Sequence, residues 1–205
     1  RSTANYGAIL SKVGYESRGK DGSDFTRLIE NNMNYSHKAF KENFGNSKYE
    51  LAKDLLRPEG SDGKTNAPDP KNVPELFNIA YSGKNGNIEP SDGFKYRGRG
   101  YVQLTGRQNY QNVGNRLGVD LENMSEQQLN EWFSNPRNSA DATAAYFAVE
   151  NDRGKDLTSM ASINKVVGGV KQNVPLNPKY ADIKTEVVAK LPPKSPFETG
   201  AALAG

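Results

Sequence analysis

A mainly α-helical fold is predicted by three features of this 205-residue sequence. Apolar residues recur every three or four positions along most of the chain, which places them on one face of a helix. Glycine, proline and small polar residues flank these stretches, where helices begin and end. Alternation of apolar and polar residues is scarce, so strands are limited to a short hairpin near residues 89–103.

The first helix is predicted from apolar residues at helical spacing between Tyr6 and Val13. Glu16 follows at the end of this helix, about 70° from the centre of the apolar face at about 100° per residue. A carboxyl group at that edge would be partly removed from water, which makes Glu16 a candidate for acid–base chemistry. Residues 17–24 are rich in glycine, serine and charged residues and are predicted to form a loop.

Further helices are predicted where apolar periodicity coincides with residues that favour helix ends. They cover residues 47–56, 74–82, 107–117, 126–133, 139–150, 157–167 and 178–191. Ser47 with Glu50 and Ser125 with Gln128 are predicted to form capping boxes. Residues 57–73 hold three prolines and two glycines and are predicted to form a long exposed loop.

The composition indicates a polar globular protein and excludes several kinds of site. Mean hydropathy is −0.80, and no apolar run approaches the roughly 20 residues that cross a membrane, so no membrane span is expected. The chain has no cysteine and one histidine, His37, so thiolate nucleophiles, disulfides and thiolate metal sites are excluded. No metal or cofactor is expected. We expect a monomer with one domain over residues 1–193 and a flexible tail or linker over residues 194–205.

The charge balance is weakly basic, which suits an anionic polymer but is also common among proteins without such a partner. The net charge is +3 and the pI is near 8.9. A nucleic-acid-binding domain would carry a stronger basic patch, so no nucleic-acid partner is expected. A weakly basic protein suits the bacterial cell wall, which is anionic.

The stretch from Tyr96 to Tyr110, YRGRGYVQLTGRQNY, holds the densest group of candidate binding residues. Its glycines at 98, 100 and 106 allow tight turns and a close approach of the backbone to a ligand. Gln103, Thr105 and Asn109 offer uncharged donors and acceptors, which suit a hydroxyl-rich ligand such as a sugar better than a phosphate. By composition alone, a glycine-rich turn followed by an ordinary helix explains the stretch equally well.

This stretch, which we call the motif, resembles the signature of the family 19 glycoside hydrolases, the chitinase and phage-endolysin family. That signature reads roughly (F/Y)-x-G-R-G-x-x-Q-L-(S/T)-x-x-x-N-Y. Tyr15-Glu16-Ser17 resembles the family's His-Glu-Ser or His-Glu-Thr, and residues 28–36, LIENNMNYS, resemble the VENLNYS of its bacterial and phage branch. Residues 74–87 resemble its PE…YA…GNG segment. The resemblance implies a two-lobed, lysozyme-like α (α+β) fold with a sugar-binding cleft between the lobes.

Glycoside hydrolysis needs one carboxyl group that is protonated and another that is ionised. The resemblance implies an inverting mechanism in which Glu16 is the general acid and Glu30 is the base. Their carboxyl groups would then lie roughly 6.5–9.5 Å apart, with a water between them. The step between the two glutamates is longer than in the phage branch, because residues 20–24 look like an insertion. Asp21 and Asp24 are therefore alternatives to Glu30 as the base.

Other residues match polar positions of the family. Ser36 and Thr105 align with hydroxyl groups that help to position the attacking water, although either is equally suited to cap a helix. Gln103 and Asn109 align with groups that contact sugar.

Three substrate contacts are predicted outside this set. Tyr96 is a candidate to stack on a pyranose ring, with a half-buried core aromatic as the alternative. Arg97 is a candidate to contact carboxylates of the wall or to brace Asp92 and Glu89. Val167 stands where the family has a substrate-contacting asparagine, so that contact is either lost or supplied by Asn164.

The sequence therefore predicts a peptidoglycan-degrading endolysin or virion-associated muramidase that hydrolyses β-1,4 bonds between N-acetylated amino sugars. The alternatives are a chitinase, a catalytically impaired wall-binding or virion structural module, and a lytic transglycosylase. Such a protein would act on the wall in the periplasm or outside the cell, after synthesis in the host cytoplasm or delivery by a virion. Only fifteen residues precede Glu16, which favours a truncated or shortened chain.

Overall fold

The computed structural model describes residues 4–18, 22–23, 25–60, 67–168 and 174–180. These ranges are mainly helical, as predicted, and contain nine α-helices. The helices are α1 (Tyr6–Glu16), α2 (His37–Phe44), α3 (Asn46–Ala52), α4 (Val73–Tyr81), α5 (Asp92–Lys95), α6 (Arg107–Leu117), α7 (Glu126–Ser134), α8 (Pro136–Asp152) and α9 (Met160–Gly168). Pro70–Asn72 and Pro178–Tyr180 form 3-10 turns.

The β-structure of the described ranges is limited to two isolated antiparallel bridges, which join Arg99 to Ile29 and to Leu104. The hairpin predicted near residues 89–103 is therefore reduced to a tight turn between Arg99 and Leu104. Residues 92–95 form the short helix α5 instead of a strand.

Helix ends follow the sequence where side-chain caps form. Ser125 Oγ accepts a hydrogen bond from the N–H of Gln128 at 3.2 Å, and Gln128 Oε1 accepts one from the N–H of Ser125 at 2.8 Å. This capping box at α7 is confirmed. The one predicted at Ser47 and Glu50 is wrong. There α3 begins directly after Gly45, which also ends α2, and a φ of 89° at this glycine lets the chain turn between the two helices.

Buried apolar side chains form two clusters, as expected for the two lobes that the resemblance implies. The first cluster joins α1, part of the motif and helices α6 to α9, and includes Val13, Val102, Leu104, Tyr110, Phe133 and Ile163. The second cluster joins α2, α3 and α4, and includes Met33, Phe40, Ala52, Leu76 and Phe77. The motif lies between α5 and α6, next to the segment that leads into α2.

Asp92 holds α5 onto α6. Its side chain is 1% exposed and binds the Arg107 guanidinium through two hydrogen bonds of 2.7 and 2.9 Å. It also accepts hydrogen bonds from the N–H groups of Ile88 and Glu89. Burial would raise the pKa of Asp92, but these hydrogen bonds and the Arg107 charge lower it overall. Since Arg107 opens α6, this ion pair secures both ends of the loop that carries the motif glycines.

Part of the predicted organisation lies outside the described residues. The helix predicted over residues 178–191 is described only through its 3-10 turn at Pro178–Tyr180. The domain boundary at residue 193 and the tail over 194–205 lie beyond the described ranges. Within those ranges, no helix combines the length and apolarity that crossing a membrane requires.

Replacing Asp92 with asparagine should reduce the free energy of unfolding by up to about 3 kcal/mol at neutral pH, because the Arg107 charge then loses its buried partner. Since the pKa of Asp92 is lowered, wild type should lose this stabilisation as the pH falls below about 4, whereas the variant lacks that pH dependence. Urea unfolding at both pH values measures the difference. Asp152→Asn is the control, because the Asp152–Arg116 pair is partly exposed and should contribute at most about 1 kcal/mol. Equal losses in the two variants would contradict the assignment.

Candidate active site

An open pocket of about 760 Å³ lies where the two clusters meet. Val102 and Val167 on its wall pack with the first cluster, and Tyr35 and Tyr81 pack against the second. The volume is within the roughly 300–1,000 Å³ that is typical of small-molecule sites. The remaining lining residues are polar except for one isoleucine: Glu16, Thr26, Arg27, Ile29, Glu30, Asn31, Asn32, Asn34, Gln103 and Thr105.

Glu16 and Glu30 both line this pocket. Glu16 is the last residue of α1, whereas Glu30 lies on the extended segment before α2. The apparent insertion between the two glutamates does not move Glu30 out of the pocket. The N–H groups of Thr26 and Arg27 both donate to the carbonyl of Ser17, at 2.9 and 2.7 Å. These two bonds bring the chain back to the end of α1 before it reaches Glu30.

Glu16 forms an ion pair with Lys12, one turn earlier in α1. Lys12 Nζ lies 2.6 Å from Glu16 Oε1, and the two side chains are 0% and 16% exposed. Apart from this ion pair, Oε1 has no hydrogen-bond partner among the described residues. The sequence predicted that Glu16 lies at the edge of the apolar face of α1, partly removed from water. The buried ammonium group of Lys12 lies beside this carboxyl group.

Glu30 is held by the motif through both its main chain and its side chain. Its N–H donates to the carbonyl of Gly98 at 2.8 Å, and its Oε2 accepts a hydrogen bond from the N–H of Gly98 at 3.2 Å. Its own carbonyl accepts a hydrogen bond from Arg97 Nε at 2.8 Å. Burial raises the pKa of Glu30, while the Gly98 N–H and the charges of Arg27 and Arg97 partly oppose the rise.

Glycine at position 98 allows this close approach. A Cβ there would lie 3.0 Å from Glu30 Oε2 and 3.1 Å from Gln103 Oε1, tighter than an ordinary contact. Gln103 has a φ of 52°, in the left-handed region that residues other than glycine seldom adopt. Its Nε2 donates to the carbonyl of Gly100 at 2.9 Å, which holds the amide at the pocket wall. Strained backbone of this kind is concentrated at functional sites.

A smaller pocket of about 210 Å³ adjoins the first and shares Val102, Gln103, Thr105 and Val167 with it. Thr105 Oγ1 donates to the carbonyl of Gln103 at 2.8 Å, so the oxygen can still accept a hydrogen bond from a ligand or a water. Asn109 lines the smaller pocket only, and its Nδ2 donates to the carbonyl of Thr105 at 2.8 Å. The three polar residues of the motif thus lie along two adjacent pockets.

Tyr96 and Arg97 are both buried and line neither of these two pockets, so the direct substrate contacts predicted for them are wrong. Tyr96 is fully buried in the first cluster, and its hydroxyl donates to the carbonyl of Glu122. Arg97 is 3% exposed. Its guanidinium binds Glu126 at 2.8 Å and the carbonyl of Glu30. Both side chains support the pocket from behind.

Asn164 also lines neither pocket. Its side chain is 4% exposed, and its Nδ2 donates to the carbonyl of Val174 at 2.9 Å. Because this amide is buried against the segment that follows α9, it cannot take the place of an asparagine side chain at position 167. The prediction for Asn164 is therefore wrong.

Ser36 caps a helix rather than lining the pocket. Its Oγ accepts a hydrogen bond from the N–H of Ala39 at 3.2 Å, at the start of α2. The structure thus supports the helix-capping role of this hydroxyl, which was the alternative to positioning a water. Asp21 and Asp24, the alternative bases, lie outside the described residues.

Sequence reasoning did not assign several residues that line the pocket or contact its carboxyl groups. Lys12 was detectable, because residues four apart on a helix are neighbours and Lys12 precedes Glu16 by four. Asn32 and Asn34 alternate with the buried Met33, which is the pattern of an extended segment with one face on the core. Arg27 had no such signal, since it follows a predicted loop.

No protein-family model matches the chain. The chain is similar to a protein of Haemophilus influenzae named as a glycosyl hydrolase family 19 domain-containing protein. The two are 36% identical over 117 residues, which is 56% of this chain and 49% of the relative. The chain thus spans about half the length of the curated relative that it matches. This similarity agrees with the resemblance of the motif at the level of the family.

Glu30→Gln should make the protein more stable at neutral pH. The raised pKa means that the folded state holds the Glu30 proton more tightly than the unfolded state. Stability is therefore lost as the pH rises from the ordinary glutamate value of 4.5 through the higher value in the folded protein. Glutamine keeps an oxygen for the Gly98 N–H and carries no charge. Thermal unfolding should show a higher midpoint for the variant at pH 7, with the difference shrinking towards about pH 4. Glu59→Gln, at an exposed position, is the control and should show no such trend.

Proposed function

We propose that the protein is a glycoside hydrolase that cleaves β-1,4 bonds between N-acetylated amino sugars of bacterial peptidoglycan, as an endolysin does. The observation that carries this proposal is that Glu16 and Glu30 line one open pocket among neutral amide and hydroxyl groups. The similarity to the Haemophilus influenzae protein supports the reaction class. The bacterial and phage form of residues 28–36 supports the substrate. Its action would be at the cell wall, as a monomer.

In the proposed inverting mechanism, Glu16 donates a proton to the glycosidic oxygen while Glu30 takes a proton from the attacking water. Burial raises the pKa of Glu30, which makes its carboxylate a stronger base when it is ionised. The Gly98 N–H and the charge of Arg27 support that ionised form. Thr105 would accept a hydrogen bond from the water or the sugar.

Lys12 takes part in this mechanism through its charge. As Glu16 transfers its proton, negative charge develops on a carboxylate oxygen that lies 2.6 Å from the Lys12 ammonium group. A cation that is already in place stabilises such a charge without reorganisation of solvent. Lys12 is buried behind Glu16, so it acts on the carboxyl group and does not contact the sugar.

The alternative functions differ in their products. A chitinase would cleave neutral N-acetylglucosamine oligomers and release no muropeptides. A lytic transglycosylase would use the acid alone and leave anhydro ends. A catalytically impaired wall-binding or virion structural module, which Val167 in place of asparagine favours, would bind glycan without cleaving it.

Glu16→Gln should lower the rate of wall lysis by about 10²–10⁴-fold, because the variant has no proton to donate. Circular dichroism should show an unchanged helix content. Glu59→Gln removes the same charge from an exposed position and should keep the full rate. If Glu16→Gln retains more than about a tenth of the wild-type rate, a loss smaller than removal of a general acid causes, Glu16 is not the acid.

Digestion of purified peptidoglycan should yield muropeptides with reducing ends, and proton NMR of the fresh products should show the inverted anomer. Mass spectrometry identifies the cleaved bond, because an anhydro end is lighter by one water. Release of anhydro ends would support the transglycosylase. Cleavage of chitin oligomers without muropeptide release would support the chitinase, and binding without any product would support the wall-binding module.

A further inference from the structure

Arg27 is the cation on the wall of the catalytic pocket. Among the described residues that line the two pockets, no other is lysine or arginine. The residue is exposed, and its Nη2 donates to the carbonyl of Glu16 at 2.9 Å. Its backbone is fixed by the hydrogen bond from its N–H to Ser17. The guanidinium therefore has a defined position beside the end of α1.

A purely structural role for Arg27 would be to satisfy a carbonyl at the C-terminus of α1, where a cation also interacts favourably with the helix dipole. That role uses one of the five N–H donors of the guanidinium. The other donors have no partner among the described residues, and the side chain has no carboxylate within ion-pair distance there. An arginine that only capped the helix would not need to face the pocket.

The charges around the pocket permit an anionic group to approach Arg27. Two carboxyl groups line the pocket, but each has cations or donors of its own. Lys12 pairs with Glu16, and the charge of Arg97 and the N–H of Gly98 act on Glu30 from behind. The charge of Arg27 also acts on Glu30, but its guanidinium forms no ion pair with either glutamate. A planar guanidinium with free donors binds a carboxylate through two parallel hydrogen bonds.

We propose that Arg27 forms a carboxylate-binding subsite, which recognises an acidic substituent on an amino sugar of the substrate. The lactyl carboxylate of a muramic acid residue that carries no stem peptide has this chemistry; where a stem peptide is attached, the lactyl group is a neutral amide. A chitin oligomer has no such group. The subsite makes Arg27 a specificity-determining residue for acidic glycans. This inference rests on the proposed function, because it assigns the polar pocket to a glycan.

The test compares three glycans of equal length: peptidoglycan strands freed of stem peptides, which carry lactyl carboxylates, the same strands with those carboxylates converted to methyl amides, and chitin oligomers. The quantity measured is the ratio of kcat/KM for the acidic strand to that for the amide strand. The ratio cancels the effect that Arg27 has on Glu30, because that effect is common to both substrates. Wild type should favour the acidic strand by about tenfold or more, as a hydrogen bond to a charged group does.

Arg27→Gln should reduce this ratio to about one, and Arg27→Lys should retain part of the preference. The matched control is Arg137→Gln, which removes the same charge from an exposed position of α8 outside both pockets and should leave the ratio unchanged. Circular dichroism establishes that each variant is folded. The same ratio in wild type and Arg27→Gln would overturn the subsite while leaving the proposed hydrolase intact.

If wild type cleaves none of the three glycans, the proposed function fails, and calorimetric binding then decides the subsite separately. Tighter binding of the acidic strand than of the amide strand by wild type, lost in Arg27→Gln, would support the subsite in a wall-binding module. Equal binding of the two strands by wild type would overturn it.

Discussion

Two buried arginine side chains determine the centre of this protein. Arg97 and Arg99 are 3% and 0% exposed, and a guanidinium group away from water has to find hydrogen-bond partners. Arg97 donates to the carbonyl of Glu30, while Arg99 donates to Asn130 on α7 and to Tyr110 on α6. These partners come from three separate parts of the chain. Pairing these donors therefore brings the Glu30 segment, the motif and two helices together. Among the described residues Arg99 Nη2 has no hydrogen-bond partner and lies 3.9 Å from Glu126 Oε1.

The pocket follows from this arrangement. Gly98 lies between the two arginines, and its N–H and carbonyl bind the side chain and main chain of Glu30. A side chain at position 98 would crowd Glu30 and Gln103, so the glycine is needed for space. The buried arginine side chains and the groups that face the pocket thus lie on opposite sides of one short segment. One side anchors the segment in the first cluster, and the other presents donors and acceptors to a ligand.

The features that suit this pocket for chemistry are unfavourable for stability. Glu30 is desolvated, Gln103 has a left-handed backbone, and Lys12 places a charge inside the first lobe beside Glu16. Local conflicts of this kind are expected at functional sites, because the rest of the fold compensates for them. Asp92 with Arg107 is the contrasting case. That pair does not line the pocket, and its two charges are matched. Because it joins α5 to α6, a structural role is enough to explain it.

The sequence by itself determined the helical class, most helix positions and the capping box of α7, because these depend on spacing and on residues a few positions apart. It also directed attention to Glu16 and Glu30, which line one pocket. Only the tertiary structure decided which polar side chains face that pocket. Tyr96 and Arg97 belong to the motif yet turn inwards, where they bind Glu122 and Glu126. Because these partners are distant in sequence, no local pattern predicts this orientation. The position of Arg27 could not be predicted either. Its side chain is held by the carbonyl of Glu16 at the end of α1, and no local sequence pattern indicates that contact.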